Sequence, residues 1–212
     1  MAEWSVVIPV KRLSAAKSRL RGALPGVSHD DLVLALALDT AKAALDCPLV
    51  RGVTVVTDDP AAQAACGALG VEPVPDLPDA GLNPALEHGA RQALLRHPRA
   101  WLAALGGDLP ALRPRELADA LTAAEANPRS YVADAELTGT VLLAARPDTP
   151  LSPSFGVGSA DLHRLSGAAA LEGEWPSLRR DVDTAADLAA AARLGLGSRT
   201  RQCLRAGAES RR

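Results

Sequence analysis

Over its first half the chain alternates short, β-branched apolar runs with stretches of helical period, and few architectures accept that order. Residues 4–10 (WSVVIPV) form such a run, stopped at a proline, and predict a strand buried on both faces. Apolar residues at helical spacing follow over 32–45, a second buried strand over 53–56, a helix over 61–69, a third strand over 71–74, a helix over 83–95 and a fourth strand over 101–105. Strand, helix, strand repeated in this way predicts an α/β fold, a mainly parallel sheet covered by helices on both faces. Ligands of such sheets bind beyond the carboxyl ends of the strands. Chemistry-bearing residues are therefore expected in the loops that leave those ends.

The second half is less regular. A helix is expected over 115–125, strands over 130–133 and 140–145, a Pro/Ser/Gly loop over 147–158 that caps the site, and a closing helix over 187–194 ended by Gly195 and Gly197. Residues 1–197 read as one domain, and 198–212 as a basic, poorly ordered tail.

Composition excludes several classes. With 23 Lys plus Arg against 25 Asp plus Glu, the net charge of −2 offers no basic face for nucleic acid. No apolar run reaches the roughly 18 residues of a membrane span, and residues 1–4 (MAEW) open no basic and apolar leader, so a cytoplasmic protein without a membrane partner is expected. The three cysteines make no CxxC pair and fit reduced thiols. Arginine outnumbers lysine 20 to 3, so an isolated arginine says little, whereas Lys11 and Lys17 fall in one short segment.

That segment, residues 11–20 (KRLSAAKSRL), sets four cations and two small hydroxyls just after the first strand. Backbone N–H groups, lysine point charges and the arginine fork at a strand-to-helix turn suit phosphates. Neither GxxxxGK[ST] nor GxGxxG is present, which excludes a P-loop and a dinucleotide fingerprint. A solvated basic loop is the plain alternative. Gly106-Gly107-Asp108 follows the fourth strand, with glycines that allow close backbone approach and a carboxylate able to hold Mg²⁺ against phosphates. Asp181 and Asp183, two apart in an extended stretch, face the same way and complete an oxygen donor set with Asp108. Asp183 or Thr184 could equally cap the last helix, and Asn83 the helix that carries Pro84.

Taken together, Ile8-Pro9-Val10-Lys11, Ala16-Lys17-Ser18-Arg19-Leu20, Gly81-Leu82-Asn83, Gly106, Asp108-Leu109-Pro110, Gly139-Thr140, Phe155-Gly156, Ser159, His163 and Asp181-Val182-Asp183-Thr184 resemble the phosphoenolpyruvate/2-phospho-L-lactate guanylyltransferase family over about residues 4 to 196. The resemblance implies a Rossmann-like nucleotidyltransferase fold of the GT-A type, a three-layer sandwich. It also implies transfer of GMP from GTP to phosphoenolpyruvate, with release of pyrophosphate, in the making of the deazaflavin coenzyme F(420). Lys17 and Asp108 would be catalytic. Lys11, Lys17, Arg19, Gly81, Leu82 and Asn83 would bind the nucleotide, Thr140, Gly156 and Ser159 the phosphoenolpyruvate, and Asp108, Asp181 and Asp183 the Mg²⁺. His163, in a reaction that needs no histidine, is expected to be a structural or solvent-facing helix residue. The alternatives are 2-phospho-L-lactate or another small phosphorylated acceptor, a GT-A glycosyltransferase, and a non-catalytic GTP-binding regulator. Oligomeric state is not encoded in any motif.

Overall fold

The computed structural model describes residues 2–209. A seven-stranded sheet runs in the order β3, β2, β1, β4, β6, β5, β7, built from β1 (Trp4–Pro9), β2 (Val50–Val56), β3 (Glu72–Val74), β4 (Trp101–Leu105), β5 (Arg129–Ala133), β6 (Thr140–Ala145) and β7 (Ala169–Ala170). Strands β1 to β4 are mutually parallel, while β6 is antiparallel to both β4 and β5. Since β5 opposes β6, it runs with β4, and β6 alone runs backwards. The predicted mainly parallel α/β sheet is therefore present. The reversed strand has a positional effect: the end of β4, the end of β5 and the beginning of β6 meet at one edge, with Leu105 opposite Leu142 and Ala133 opposite Thr140.

The helices are α1 (His29–Leu45), α2 (Pro60–Leu69), α3 (Leu82–Arg96), α4 (Pro114–Ala124), α5 (Ser159–Leu165), α6 (Pro176–Arg179), α7 (Ala185–Leu194) and α8 (Ser198–Glu209). Alternation along β1 divides the core. Trp4, Val6 and Ile8 pack with Ala37, Ala41, Ala44 and Leu121 of α1 and α4, while Val7 packs on the other face with Leu86 and Ala90 of α3. Both faces are dry, which is why the sequence shows a continuous apolar run. Helix α3 lies close to the sheet through Gly89, where an added Cβ would come within 2.5 Å of both Val7 and Val56. Trp4 is fully buried, with its ring centroid 5.1 Å from that of Trp101, and Trp175 is also buried.

Residues 198–209 correct the expectation of a loose tail: they form α8, which packs along α1. The reason lies far back in the chain. Asp39, buried in α1, accepts hydrogen bonds from the Arg199 and Thr200 N–H groups at 3.1 and 2.8 Å and so serves the free donors at the start of α8. Gly197 makes room for that carboxylate, since a Cβ there would lie 2.2 Å from it. Residues 210–212 of the expected tail lie outside the described residues. Among the described residues no helix is long and apolar enough to cross a membrane.

Candidate active site

A cleft of about 1000 Å³ opens at the carboxyl edge of the sheet. One wall begins where β1 ends. The basic segment folds into two single 3₁₀ turns, Leu13–Ala15 and Ser18–Leu20, pinned by the buried side chains of Leu13 and Leu20. The Leu13 N–H donates to Asp59 Oδ2 at 3.0 Å, and the other oxygen of that carboxylate caps α2 through Ala61 and Ala62. Asp59 thus caps α2 and anchors the basic loop with one carboxylate. These N–H donors, with Arg12 nearby, hold its carboxyl below the usual range against the opposing effect of burial.

Lys17 separates the two turns in the left-handed backbone region, φ 49°. This conformation is costly for a residue with a Cβ. It carries the ammonium to both Asp108 and Asp183, with which Lys17 Nζ forms ion pairs. Burial works to lower the Lys17 pKa, but the two carboxylates outweigh it and raise it well above its ordinary value. The ammonium is therefore a fixed positive charge.

Close packing puts Asp108 there. A Cβ on Gly107 would sit 2.9 Å from the Pro9 carbonyl, so only glycine lets the β4 exit pass β1 so closely. Beyond it the Leu109 N–H donates to Thr40 Oγ1 at 2.9 Å, which holds the turn to α1. The Val182 N–H donates to the Asp108 carbonyl at 3.0 Å, and the Val182 side chain is fully buried. With Val182 turned inward, Asp181 and Asp183 both face the cleft. Asp183 is left free to do so because Thr184, not Asp183, caps α7, in a capping box with Asp187. Asp181 has its carboxyl pushed up to about 7, by burial first and then by the nearby charges of Asp108, Asp183 and Asp134, against the relief given by Lys17.

The opposite wall comes from residues 134–163. Thr138, Gly139, Thr140, Gly156 and Ser159 line it, as do Phe155 and Val157. Asp134 also lines the cleft, and sequence reasoning missed it. Its two oxygens accept the Thr138 and Gly139 N–H groups at 2.9 and 2.8 Å and fold the turn between β5 and β6. A Cβ on Gly139 would fall 2.4 Å from Asp134 Oδ2, a pairing that an aspartate at a strand exit five residues before a glycine could have signalled.

The residues singled out in sequence fall into two groups. Lys11, Lys17, Arg19, Leu82, Asp108, Thr140, Gly156, Ser159, Asp181 and Asp183 line the one cleft. Gly81 and Asn83 are not among its lining residues. Gly81 precedes α3 at φ 101°, a conformation suited to glycine. Asn83 lies inside α3 and spends its carboxamide on the main chain of Phe155. It is neither the helix cap nor a wall of the cleft, and acts on the wall from behind.

The donor chemistry suits a hard cation. Three carboxylates converge with too little positive charge between them, and Asp181 bears the cost. Mg²⁺ typically takes one or two carboxylates and completes its shell with phosphates and water. Among the described residues no three His, Cys, Asp or Glu side chains are set to hold one ion between them, and Lys17 spans Asp108 and Asp183.

The family model described as "Guanylyl transferase CofC like" matches residues 4–206, nearly the whole chain. The chain belongs to the CofC-like guanylyl transferase family. Among its CofC-like relatives, the phosphoenolpyruvate guanylyltransferase of Salinispora arenicola is 61% identical over 199 residues, covering 93% of this chain and 91% of its own. That of Geodermatophilus obscurus is 57% identical over 202 residues, covering 93% and 92%. A nucleotidyl transferase of Methanothermobacter shares the fold at a TM-score of 0.64 and 20% identity, covering 91% of this chain and 97% of its own. The CofC-like chain is thus a nucleotidyltransferase in fold and in family.

Proposed function

We propose that this chain transfers GMP from GTP to phosphoenolpyruvate, releasing pyrophosphate and forming enolpyruvoyl-2-diphospho-5′-guanosine, a step in the making of coenzyme F(420). The observation that carries the reading is the Lys17 ammonium held between Asp108 and Asp183 in a cleft whose far wall offers Thr140, Gly156 and Ser159. Full-length similarity to relatives named for this reaction supports the choice of substrates.

In this reading GTP lies along the wall built from β1 and β4. Lys11, Lys17 and Arg19 take its phosphates, and Leu82 packs against the nucleoside. Gly81 supports that region without lining it, whereas Asn83 holds the Phe155 turn of the opposite wall from behind. Thr140, Ser159 and the backbone at Gly156 receive the carboxylate and phosphate of phosphoenolpyruvate. A phosphate oxygen of the acceptor then attacks the α-phosphorus of GTP in line, the bond to the β-phosphate bridging oxygen breaks, and pyrophosphate leaves with that electron pair. The nucleophile is already an anion, so no strong base is needed. The task of the protein is to hold two mutually repelling anions in line and to absorb charge as it moves to the leaving group. Lys17 does so as a permanently charged group. Asp108, Asp181 and Asp183 would offer Mg²⁺ the one or two carboxylates it takes, and the bound ion would supply charge neutralisation at the phosphates.

Mass analysis of reactions containing the full chain, GTP, Mg²⁺ and either phosphoenolpyruvate or 2-phospho-L-lactate tests this, with pyrophosphate release followed in parallel. The expected result is the guanylylated phosphoenolpyruvate, with slower or no turnover of 2-phospho-L-lactate and of other nucleoside triphosphates. A preference for 2-phospho-L-lactate would overturn the acceptor assignment. Nucleotide binding without pyrophosphate release would overturn the reaction.

A further inference from the structure

His163 lies in α5 behind the wall proposed to receive the acceptor, and it is fully buried. Both ring nitrogens are engaged. The Ser154 main-chain N–H donates to Nε2 at 2.9 Å, and Nδ1 lies 2.9 Å from Thr140 Oγ1. A main-chain N–H can only donate, so Nε2 must be bare and, in a neutral ring, the proton sits on Nδ1. The Nδ1–H group then donates to Thr140 Oγ1. A hydroxyl whose lone pair is taken in this way turns its own proton elsewhere, and Thr140 lines the cleft. The ring is held on all sides: Phe155 meets it edge-on at 5.2 Å between centroids, and Tyr131 lies at 6.0 Å. Burial, and then the charge of Arg129, push its pKa down to about 4, so it stays neutral under working conditions.

We infer that His163 is a positioning residue for acceptor binding: through its Nδ1 proton it fixes Thr140 as a hydrogen-bond donor into the cleft, and through Nε2 it seats the turn that leads from Ser154 to Gly156. The inference rests on the reading of Thr140, Gly156 and Ser159 as the acceptor wall and deepens it. The two bonds need the two nitrogens in opposite roles, which only the neutral imidazole with its proton on Nδ1 supplies at this spacing. The Thr140 proton is thereby kept off His163 and available to an anionic acceptor, because turning it towards Nδ1 would set two protons against each other.

Two amide substitutions separate the bonds. Gln reaches the Nε2 position and can accept from Ser154 but lacks the donor to Thr140, whereas Asn offers an N–H near the Nδ1 position. Steady-state kinetics on the full chain with GTP, Mg²⁺ and phosphoenolpyruvate, applied to His163→Gln, His163→Asn, Thr140→Val and the Thr140→Val/His163→Gln double variant, read the outcome. Losing a hydrogen bond to a charged group corresponds to about tenfold or more in affinity, so Thr140→Val should raise the KM for phosphoenolpyruvate by about that factor. His163→Gln should raise it comparably, with the KM for GTP moving less than about twofold, kcat changing less than the acceptor KM, and the double variant no worse than Thr140→Val alone. His163→Asn should recover most of the loss. If Thr140→Val raises the acceptor KM while His163→Gln does not, or if the two effects multiply, the inference is overturned and the acceptor wall stands. If Thr140→Val leaves that KM unchanged, the acceptor wall itself is wrong and the inference falls with it. In the unsubstituted protein, ¹⁵N shifts of the His163 ring should show a protonated Nδ1 and a bare Nε2, and the reverse would overturn the inference without any variant.

Discussion

Asn83 pairs with Phe155 as one strand pairs with another: the Phe155 N–H donates to Asn83 Oδ1 at 2.7 Å, and Asn83 Nδ2 donates to the Phe155 carbonyl at 3.1 Å. One side chain at the start of α3 thus satisfies both polar groups of a residue 72 positions later and fixes the turn between Ser154 and Gly158 against the sheet.

The first prediction follows from that pairing. Asn83→Ala frees the turn, and the KM for the phosphoacid should rise by about three- to tenfold, with the KM for GTP nearly unchanged. Asn83→Asp keeps the acceptor but sets an oxygen against the Phe155 carbonyl, and should be no better than alanine. Initial rates measured against each substrate separately give the answer, and a rise confined to the KM for GTP would contradict it.

Asp108→Ala should abolish turnover, on the order of a thousandfold or more, while the protein still melts cooperatively near its normal temperature. Lys17 retains Asp183, and one of the charges crowding Asp181 disappears, so the fold is not weakened. Pyrophosphate release together with a circular-dichroism melt tests both halves. Chelation of divalent cations should stop the unsubstituted protein equally well, and unchanged activity under either treatment would refute the assignment of Asp108.

Asp181 makes stability depend on pH in a definite sense. Its carboxyl titrates near 7 in the folded chain and near 3.8 in the unfolded one, so between those values the folded state binds more protons, and Asp181 favours folding as the pH falls. Above about 7 it is a buried charge that weakens the fold. Asp181→Asn should therefore stabilise the protein at pH 8, and the difference from the unsubstituted chain should shrink towards pH 5. Urea midpoints at the two pH values measure it. Catalysis should be lost at both.

Asp39→Ala leaves two N–H groups at the start of α8 without their carboxylate and should cost about 1–2 kcal/mol of stability, with activity per folded molecule preserved. Denaturant midpoints and turnover measured on the same samples separate the two effects.

The strands and the basic loop were legible because their signals are local: a β-branched run that stops at Pro9, lysines at 11 and 17, glycines before Asp108. What could not be read depends on partners far along the chain. Helix α8 looks like a tail because it is polar and basic and its cap, Asp39, comes 160 residues earlier. Asp134 looks like any acidic residue after a strand until Gly139 folds back on it. Asn83 carries every mark of a helix cap, and only the arrival of Phe155 gives its amide another use. The backward direction of β6 leaves no trace in its alternation, since an apolar strand reads the same either way. For His163, a reaction without need of a histidine left a structural or a solvent-facing role open; the residue is buried, and only the donor at Ser154 and the hydroxyl at Thr140 reveal what its two nitrogens do.

Because β6 starts at the ligand edge instead of ending there, the turn before it, the strand itself and the returning loop to α5 make the second wall of the cleft from one unbroken stretch, residues 134–163. The first wall is stitched from separated pieces of chain, among them the basic loop, the turn at Asp108 and the stretch at Asp181 and Asp183, which Lys17 and the Val182 N–H tie together. The second is a portable cassette. Grafting that stretch from a relative with a different acceptor would exchange substrate choice as a unit, while the triphosphate side stays as it was.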